Sequence, residues 1–478
     1  MTISIPTLST GIPAIDKAFR IACGDFAGNI TLFRSRMSGA KEPVIIAGMD
    51  YDSPWIRDAA FNTWYAGMLC PDIAKNTLCS VLTRTGDGLV IDDGSNQYWD
   101  KIIWAWGAWK YYLYTGDREF IKTALEAIEN TLDQLIRGEF DEKDGLFRGG
   151  ACFQDGIAAY PDKLVSRQRK SGIIDCVYDQ PRPEFLAGKG IGLPCKALST
   201  NCLYLAAYEV ADHMRKESGL PERWAKESSG LRNHINEKFW NDAAGTYRYL
   251  LDADDPNPAR QEGLGHAFAL LYGIAGGNRE EKMIRNIHIT PQGLPCVWPQ
   301  YERYGGTKGV YARHSGVIWP QVCVAWCEAL ARAGYREMAF DEMMKLAEKA
   351  ARDYIFSEIY HPETGLPYGG IQEDEARGIV EWLSCRRQTW CAGGFINMVL
   401  NVFPGVRYSP AGLAFSPYLP EGTDEITLSN FPYRQSCLNI TVRRHTSNQL
   451  LINGKESEMI DSEIKGANDI TINIKVKK

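Results

Sequence analysis

IIWAWGAWKYYLYTGDREFIKTALEAIENTLDQLIRG, residues 102–138, holds two helical patterns that differ in kind. The first half is apolar on every side and rich in Ala, Gly and Trp. The second repeats apolar residues at helical spacing and carries charge on its other face. A helix apolar all round is buried, and one with a single polar face lies outside. The pair therefore reads as one inner and one outer helix.

The same alternation runs through the chain. Helical periodicity recurs near 10–24, 55–69, 71–84, 97–115, 117–138, 195–214, 221–240, 259–275, 278–289, 312–334, 336–355 and 385–402. The segments starting near 55, 97, 195, 259, 312 and 385 are rich in Ala, Gly, Trp and Cys, as in GHAFALLYG and VIWPQVCVAWCEALARAG. Those between them are amphipathic, as in REMAFDEMMKLAEKAARDYI. Six inner and six outer helices in alternation describe a mainly α protein, an (α/α)6 barrel. Outer-to-inner connections are long (25–54, 139–194, 290–311, 356–384) and inner-to-outer ones mostly short, so the long loops would gather on one face and build a site there. After Pro404 the composition changes. LAFSPYLP, EITLSNFPY, CLNITVRR, QLLINGK and DITINIKV read as short antiparallel strands. The expected division is a barrel over 1–404, with a short β segment at 28–48, and a small C-terminal antiparallel β-domain over 405–478.

Composition narrows the function. The chain has 478 residues, 45% hydrophobic and 23% charged, with a net charge of −6. That is an ordinary globular mix, and it recommends neither nucleic acid nor an anionic membrane as partner. Thirteen Trp supply flat apolar faces that suit sugar rings as well as cores. The N-terminus shows no signal-peptide pattern and no apolar run is long enough to span a membrane. Thirteen scattered Cys with no CxxC pair and no clustered His argue against zinc and for a reducing, cytoplasmic setting. No cofactor or metal is expected.

Three stretches concentrate chemistry. In DYDSPWIRDAAFNTWYAG, residues 50–67, Asp52 and Ser53 are placed to cap a helix that starts at Pro54. Capping does not account for Arg57 and Asp58 inside the first turn of an inner helix. Burying both is costly unless they pair with each other or bind a polar ligand such as vicinal sugar hydroxyls. Tyr51 and Trp55 flank them. In LFRGGACFQDGIAAYP, residues 146–161, glycines allow close backbone approach. Asp155 stands among Phe153, Ile157 and Tyr160, where desolvation raises a carboxyl pKa and suits a general acid; the alternative is an Asp-Gly turn. Asp162 and Asp175 are competing acids. In IFSEIYHPETGLPYGG, residues 355–370, Glu358 directly follows an outer helix, where the macrodipole disfavours it. It is the candidate base, with Glu381 beside Trp382 as the competitor. YARHSGVIWPQ (His314, Trp319), CRRQTWCAGGF (Gln388, Trp390) and SNQYWD (Tyr98, Trp99) open further inner helices and supply sugar contacts or core.

The order PWIRDAA, Gly-rich loop Asp, HSGVIWP, EIYHPETG, QTWCAGGF resembles the six-hairpin glycosidases, including glycoside hydrolase families 15, 37 and 63 and the glycogen-debranching glucosidase domain. WIRDAA is similar to the Trp-x-Arg-Asp segment that holds the non-reducing sugar in glucoamylase-like enzymes. HSGVIWP resembles the WRGPIW-type segment of family 63, and EIYHPETG the ENYNPxTG-type segment whose first Glu is the base. GLAFSPYLPEG resembles the β-tail that closes several such barrels. The resemblance implies Glu358 as base and Arg57 and Asp58 as sugar ligands. Where families 63 and 37 show SGMD- or SGWD-like motifs, this chain has CFQDG, so Asp155 takes the acid role by loop position alone. The implied activity is exo-acting, inverting hydrolysis of a terminal sugar, with an α-glucoside as the first expectation. The alternatives are a sugar epimerase or isomerase working through paired His (His266, His314 and His361 fall near the mouth), a phosphorylase that replaces the base by phosphate, and a carbohydrate-binding protein without catalysis.

Overall fold

The computed structural model describes residues 3–95, 97–165, 171–174, 193–305 and 307–475. Within them twelve helices of two turns or more alternate as the sequence predicts: α1 (Pro13–Gly28), α2 (Ile56–Ala66), α3 (Pro71–Ser80), α4 (Trp104–Thr115), α5 (Arg118–Glu139), α6 (Leu198–Glu217), α7 (Ala225–Lys238), α8 (Gly263–Leu271), α9 (Asn278–Asn286), α10 (Pro320–Ala333), α11 (Arg336–Asp353) and α12 (Thr389–Val402). The even-numbered helices pack in a closed ring, α2–α4–α6–α8–α10–α12 and back to α2. They bury nearly every residue, while the odd-numbered ones bury one stripe, as Ile15, Ala18, Phe19, Ala22, Cys23 and Phe26 do on α1. This is the (α/α)6 barrel.

Small residues let the ring close. A Cβ on Gly107 would stand 2.7 Å from the Cα of Ala60, so α4 and α2 touch backbone to backbone. The inner-to-outer connections are short because they are chemically decided. Gly116 ends α4 in the left-handed region, and the Asp117 carboxylate caps α5 by accepting from the Glu119 and Phe120 N–H groups. Each outer helix is followed by a β-hairpin or a single β-bridge. Ile30–Arg34 pairs with Lys41–Ile45 after α1, Leu82–Thr85 with Gly88–Ile91 after α3, and Tyr360 bridges Pro367 after α11. The long connections thus start with ordered chain that turns back toward the mouth.

One buried charge deep inside the ring is held by four donors. Glu328 on α10 accepts from Arg332 (2.9 Å), Lys110 (3.2 Å), the Trp64 indole (3.0 Å) and Asn397 (2.8 Å). Burial pushes its pKa up, and Lys110 and Arg332 outweigh that and hold it at about 2.

Three helix starts differ from the periodicity. The segments expected from 97, 312 and 385 become helical only at Trp104, Pro320 and Thr389. Before Pro320 and Thr389 the chain is held by other loops, since Ile318 exchanges backbone hydrogen bonds with Tyr360 and the Gln388 N–H donates to the Phe356 carbonyl, while Lys101–Ile103 form a 3-10 turn ahead of Trp104. Backbone committed laterally cannot join the helix.

The C-terminal strands form a six-stranded sheet in the order Thr7–Ser9, Glu425–Tyr433, Gln435–His445, Lys465–Lys475, Gln449–Ile452, Lys455–Ser457. It is mostly antiparallel, but Gln435–His445 and Lys465–Lys475 run parallel, and an N-terminal strand supplies one edge. Leu438, Ile440 and Val442 alternate inward. The sheet meets the barrel where α4 ends: the Arg434 N–H donates to the Tyr114 carbonyl, and Tyr408 packs on Tyr114 with centroids 4.7 Å apart. That is the end opposite the helix starts, which leaves the mouth clear.

Candidate active site

The loops that precede the inner helices converge on a cavity of about 250 Å³. Its walls carry three carboxylates, Asp58, Asp155 and Glu358, two arginines, Arg57 and Arg313, and four indoles, Trp55, Trp319, Trp382 and Trp390.

The first wall is the start of α2. Asp52 and Ser53 do not cap this helix, contrary to the sequence expectation. They bond to each other, Trp55 takes the cap position, and the Ile56 N–H is satisfied by Asp93 at 3.0 Å. Arg57 is buried and points one nitrogen between Asp100 (3.3 Å) and Asp155 (3.5 Å). Asp58 is buried with one carboxylate oxygen unpartnered. Burial raises its pKa to about 7, against Arg57 and with Glu358 adding to the rise. A carboxyl in that state presents both a donor and an acceptor to a ligand.

The second wall is the glycine-rich loop. Gly156 is required there, because a Cβ would lie 2.5 Å from the His314 ring and 2.5 Å from the Gln372 amide oxygen. Asp155 accepts from Gln97 at 3.0 Å, and His314 Nε2 lies 3.7 Å from its other oxygen. Burial pushes the Asp155 carboxyl up, as expected from its apolar neighbours, but the Arg57 guanidinium outweighs that and holds it below the usual value. The expectation of a raised pKa is thus overturned for the open cavity: the sequence showed Phe153 and Tyr160 beside Asp155 and could not show Arg57 folding onto it. His314 is buried, sits at φ 63°, and has its pKa lowered to about 3 by desolvation, so it is neutral.

The third wall carries Glu358. α11 ends at Asp353, with Tyr354 left-handed after it, so Glu358 lies beyond the helix at a bend in the following loop and the macrodipole argument does not apply to it. Its backbone N–H donates to the Cys385 carbonyl at 2.8 Å. Its buried carboxylate accepts from the Tyr51 hydroxyl (3.1 Å) and the Cys385 N–H (3.4 Å), and Arg313 stands 3.6 Å away. Arg313 is itself held between the rings of Trp319 and Trp382.

Tyr51, Trp55, Arg57, Asp58, Asp155, His314, Trp319, Glu358 and Trp390 therefore line one cavity. Tyr98, Trp99, Glu381 and Gln388 do not line it. Tyr98 and Trp99 are buried behind the wall, where Trp99 donates to the Ala151 carbonyl and the Tyr98 hydroxyl accepts from the Leu193 N–H. Glu381 is exposed at the end of the strand Gly378–Glu381. Gln388 is wholly buried; with its amide oriented to satisfy its neighbours it accepts from the Trp390 indole at 3.1 Å, and so positions a wall residue. Asp162 is exposed and paired with Arg303 at 2.7 Å, and Asp175 lies outside the described residues. Of the three histidines near the mouth only His314 reaches the cavity; His266 is buried against the Glu262 carbonyl and His361 bonds the Gly309 carbonyl. Gln97, Ser171, Arg313, Gln372 and Trp382 complete the walls. Gln97, Arg313 and Trp382 each lie next to a residue the sequence singled out, but neither periodicity nor spacing separates these five from loop polarity. A larger cleft, about 1060 Å³, contains Asp162, Asp255 and Arg260, but its charged groups are paired with one another rather than converging on an open space.

The model of the mannosylglycerate hydrolase MGH1-like glycoside hydrolase domain matches residues 51–390, most of the barrel and all three walls. The chain belongs to this family. Its barrel is of the six-hairpin kind. Among curated proteins none matches it in sequence. Solved structures share the fold. A family 63 mannosylglycerate hydrolase from Thermus thermophilus in complex with glucose is 16% identical with a TM-score of 0.60, over 80% of this chain and 99% of that one. A sialidase (14% identical, TM-score 0.67) covers 96% of this chain, and a family 78 rhamnosidase from a Bacillus species (13%, TM-score 0.62) covers all of it. The chain spans only 41% and 44% of those two longer proteins.

Proposed function

We propose that the cavity binds the terminal sugar of a short oligosaccharide or glycoside and releases it by single displacement with inversion. Asp155 donates a proton to the glycosidic oxygen as the bond to the anomeric carbon breaks. Glu358 takes a proton from the water that attacks the opposite face. Inversion needs carboxyls about 6.5–9.5 Å apart, with room for that water. The observation that supports the division of roles is the difference in surroundings. Glu358 is buried and accepts from Tyr51 and a backbone N–H, which fix its carboxylate on the cavity wall as a base requires. Asp155 is 36% exposed on its side chain in the open cavity and shares Arg57 with Asp100. A sugar that fills the cavity removes water from Asp155 and draws on the Arg57 donors, and both changes raise its pKa toward that of an acid. Arg57 and Asp58 hydrogen-bond hydroxyls, and the indoles cover the apolar faces of the ring.

α-Glucosides come first among the substrates to test, since the family 63 neighbour is a complex with glucose. The experiment is product release from aryl-glycosides, disaccharides and glycosyl-glycerates, the unmodified chain beside Glu358→Gln, with NMR of the nascent anomer. An inverted product, lost in the variant, is expected. Retained configuration or equal activity of the two proteins refutes the assignment. Turnover only with added phosphate supports a phosphorylase instead.

A further inference from the structure

At about 250 Å³ the cavity falls below the roughly 300–1,000 Å³ of sites for drug-sized ligands and suits one sugar ring. Whatever that sugar is bonded to must cross the mouth. Two loops that each send an indole into the cavity meet there, joined by the Met49 N–H donating to the Arg386 carbonyl at 3.4 Å. On the first, Met49 is 60% exposed and Trp55, itself a wall residue, is 40% exposed. On the second, Leu383 directly follows the wall residue Trp382 and is 89% exposed, more than any other large hydrophobic among the described residues. Ile379, 65% exposed, lies on the hairpin whose other strand brings Gln372 to the wall. Single exposed apolar residues need no explanation, but a group of them continuous with a ligand cavity marks contact surface. The two arginines that line the cavity are both committed to carboxylates, Arg57 to Asp100 and Asp155 and Arg313 to Glu358. Among the described lining residues no cation is left to receive an acidic leaving group.

We infer that Trp55, Met49 and Leu383 form a leaving-group subsite for an apolar aglycone, an alkyl or aryl group, so that the physiological substrate is a glycoside of an apolar alcohol or phenol. The inference rests on the hydrolytic reading and adds the class of the leaving group. Its chemistry is unchanged by chain length, because simple alkyl alcohols depart with similar ease; only contact with the lip distinguishes them.

The test uses the full chain and the methyl, butyl and hexyl glycosides of the sugar that the panel shows to be released, or of glucose if none is. The expected kcat/KM rises with chain length, by up to about fourfold for each methylene that the lip covers, equivalent to about 0.8 kcal/mol. The hexyl-to-methyl ratio falls severalfold in Leu383→Ser and further in Leu383→Ser with Met49→Ser. Calorimetry on the Glu358→Gln protein reads the same dependence as affinity and needs no turnover. A flat series, a ratio that survives both substitutions, or a preference for a glycerate aglycone over hexyl overturns the proposal. So does a fall in oligomeric state in the serine variants with the ratio unchanged, which would make a second copy of the chain the occupant of the lip. Chain-length-dependent binding without hydrolysis of any glycoside would refute the hydrolytic reading and leave the lip standing.

Discussion

Replacing Arg57 by Gln separates its two effects on the reaction. The guanidinium lies 3.5 Å from Asp155. At that distance unit charges attract by about 5 kcal/mol at an effective dielectric of about 20, and by about 1 kcal/mol in bulk water. The Asp155 side chain is 36% exposed and the same nitrogen also serves Asp100, so the value lies between these limits. One pH unit corresponds to about 1.4 kcal/mol, and the Asp155 pKa in the variant should therefore rise by about one to three units. The sign follows from the structure: removing the cation leaves burial, which raises a carboxyl, as the larger remaining influence. A general acid works only while protonated, so the alkaline limb of kcat/KM, which reports the free enzyme, should move to higher pH by that amount. The maximum falls at the same time, because a sugar ligand is lost. In the unmodified enzyme the alkaline limb of kcat should lie above that of kcat/KM, since bound sugar shields Asp155 from water. Full pH–rate profiles of both proteins check this. An alkaline limb that does not move in Arg57→Gln would refute Asp155 as the acid governed by Arg57, whatever happens to the maximum.

Three further outcomes follow from the geometry. Tyr51→Phe removes the hydroxyl that donates to Glu358 at 3.1 Å and should lower kcat/KM by about tenfold or more, since a hydrogen bond to a charged group contributes about 1.5–3 kcal/mol. Glu328→Leu strands buried Lys110 and should cost about 3–5 kcal/mol in urea unfolding, most of it recovered when Lys110→Met is added. Because the folded pKa of Glu328 is held at about 2 against an ordinary 4.5, its stabilisation is present above about pH 4.5 and is lost as pH falls toward 2; acid unfolding of the double variant should be less steep over that window. Gly107→Ala forces a methyl against the Ala60 backbone and should destabilise by about 1–3 kcal/mol without changing the substrate range, read by thermal unfolding and the glycoside panel.

The barrel was legible in the chain because burial is periodic. Trp104, Ala105 and Ala108 on one helix and the charged stripe of α5 on the next declare inside and outside within a few residues of each other. The turn between them is equally local, since Gly116 and Asp117 need no distant partner to end one helix and start the next. Local patterns also singled out Arg57 and Asp58, as charges in a first turn where burial demands a partner, whereas Glu358 was singled out by a macrodipole argument that its place beyond the helix removes and by the resemblance of its motif. The sheet edge at Thr7–Ser9 was not legible, because a strand's partner more than four hundred residues away leaves no trace in its own alternation. Nor were the helix starts at Pro320 and Thr389, where lateral hydrogen bonds from other loops overrode the helical period.

What the sequence determined by itself is the set of groups: an alternating barrel, a long-loop face, and acids, arginines and indoles placed on it. What only the tertiary structure decided is their state. Asp155 is ionised in the open cavity because Arg57 reaches it, Asp58 sits near pH 7 because its burial outweighs Arg57, and Tyr98, Trp99 and Glu381 stand off the cavity they were expected to line. Charge and proton affinity depend on distances of a few ångströms between residues far apart in the chain, and those distances exist only once the ring has closed.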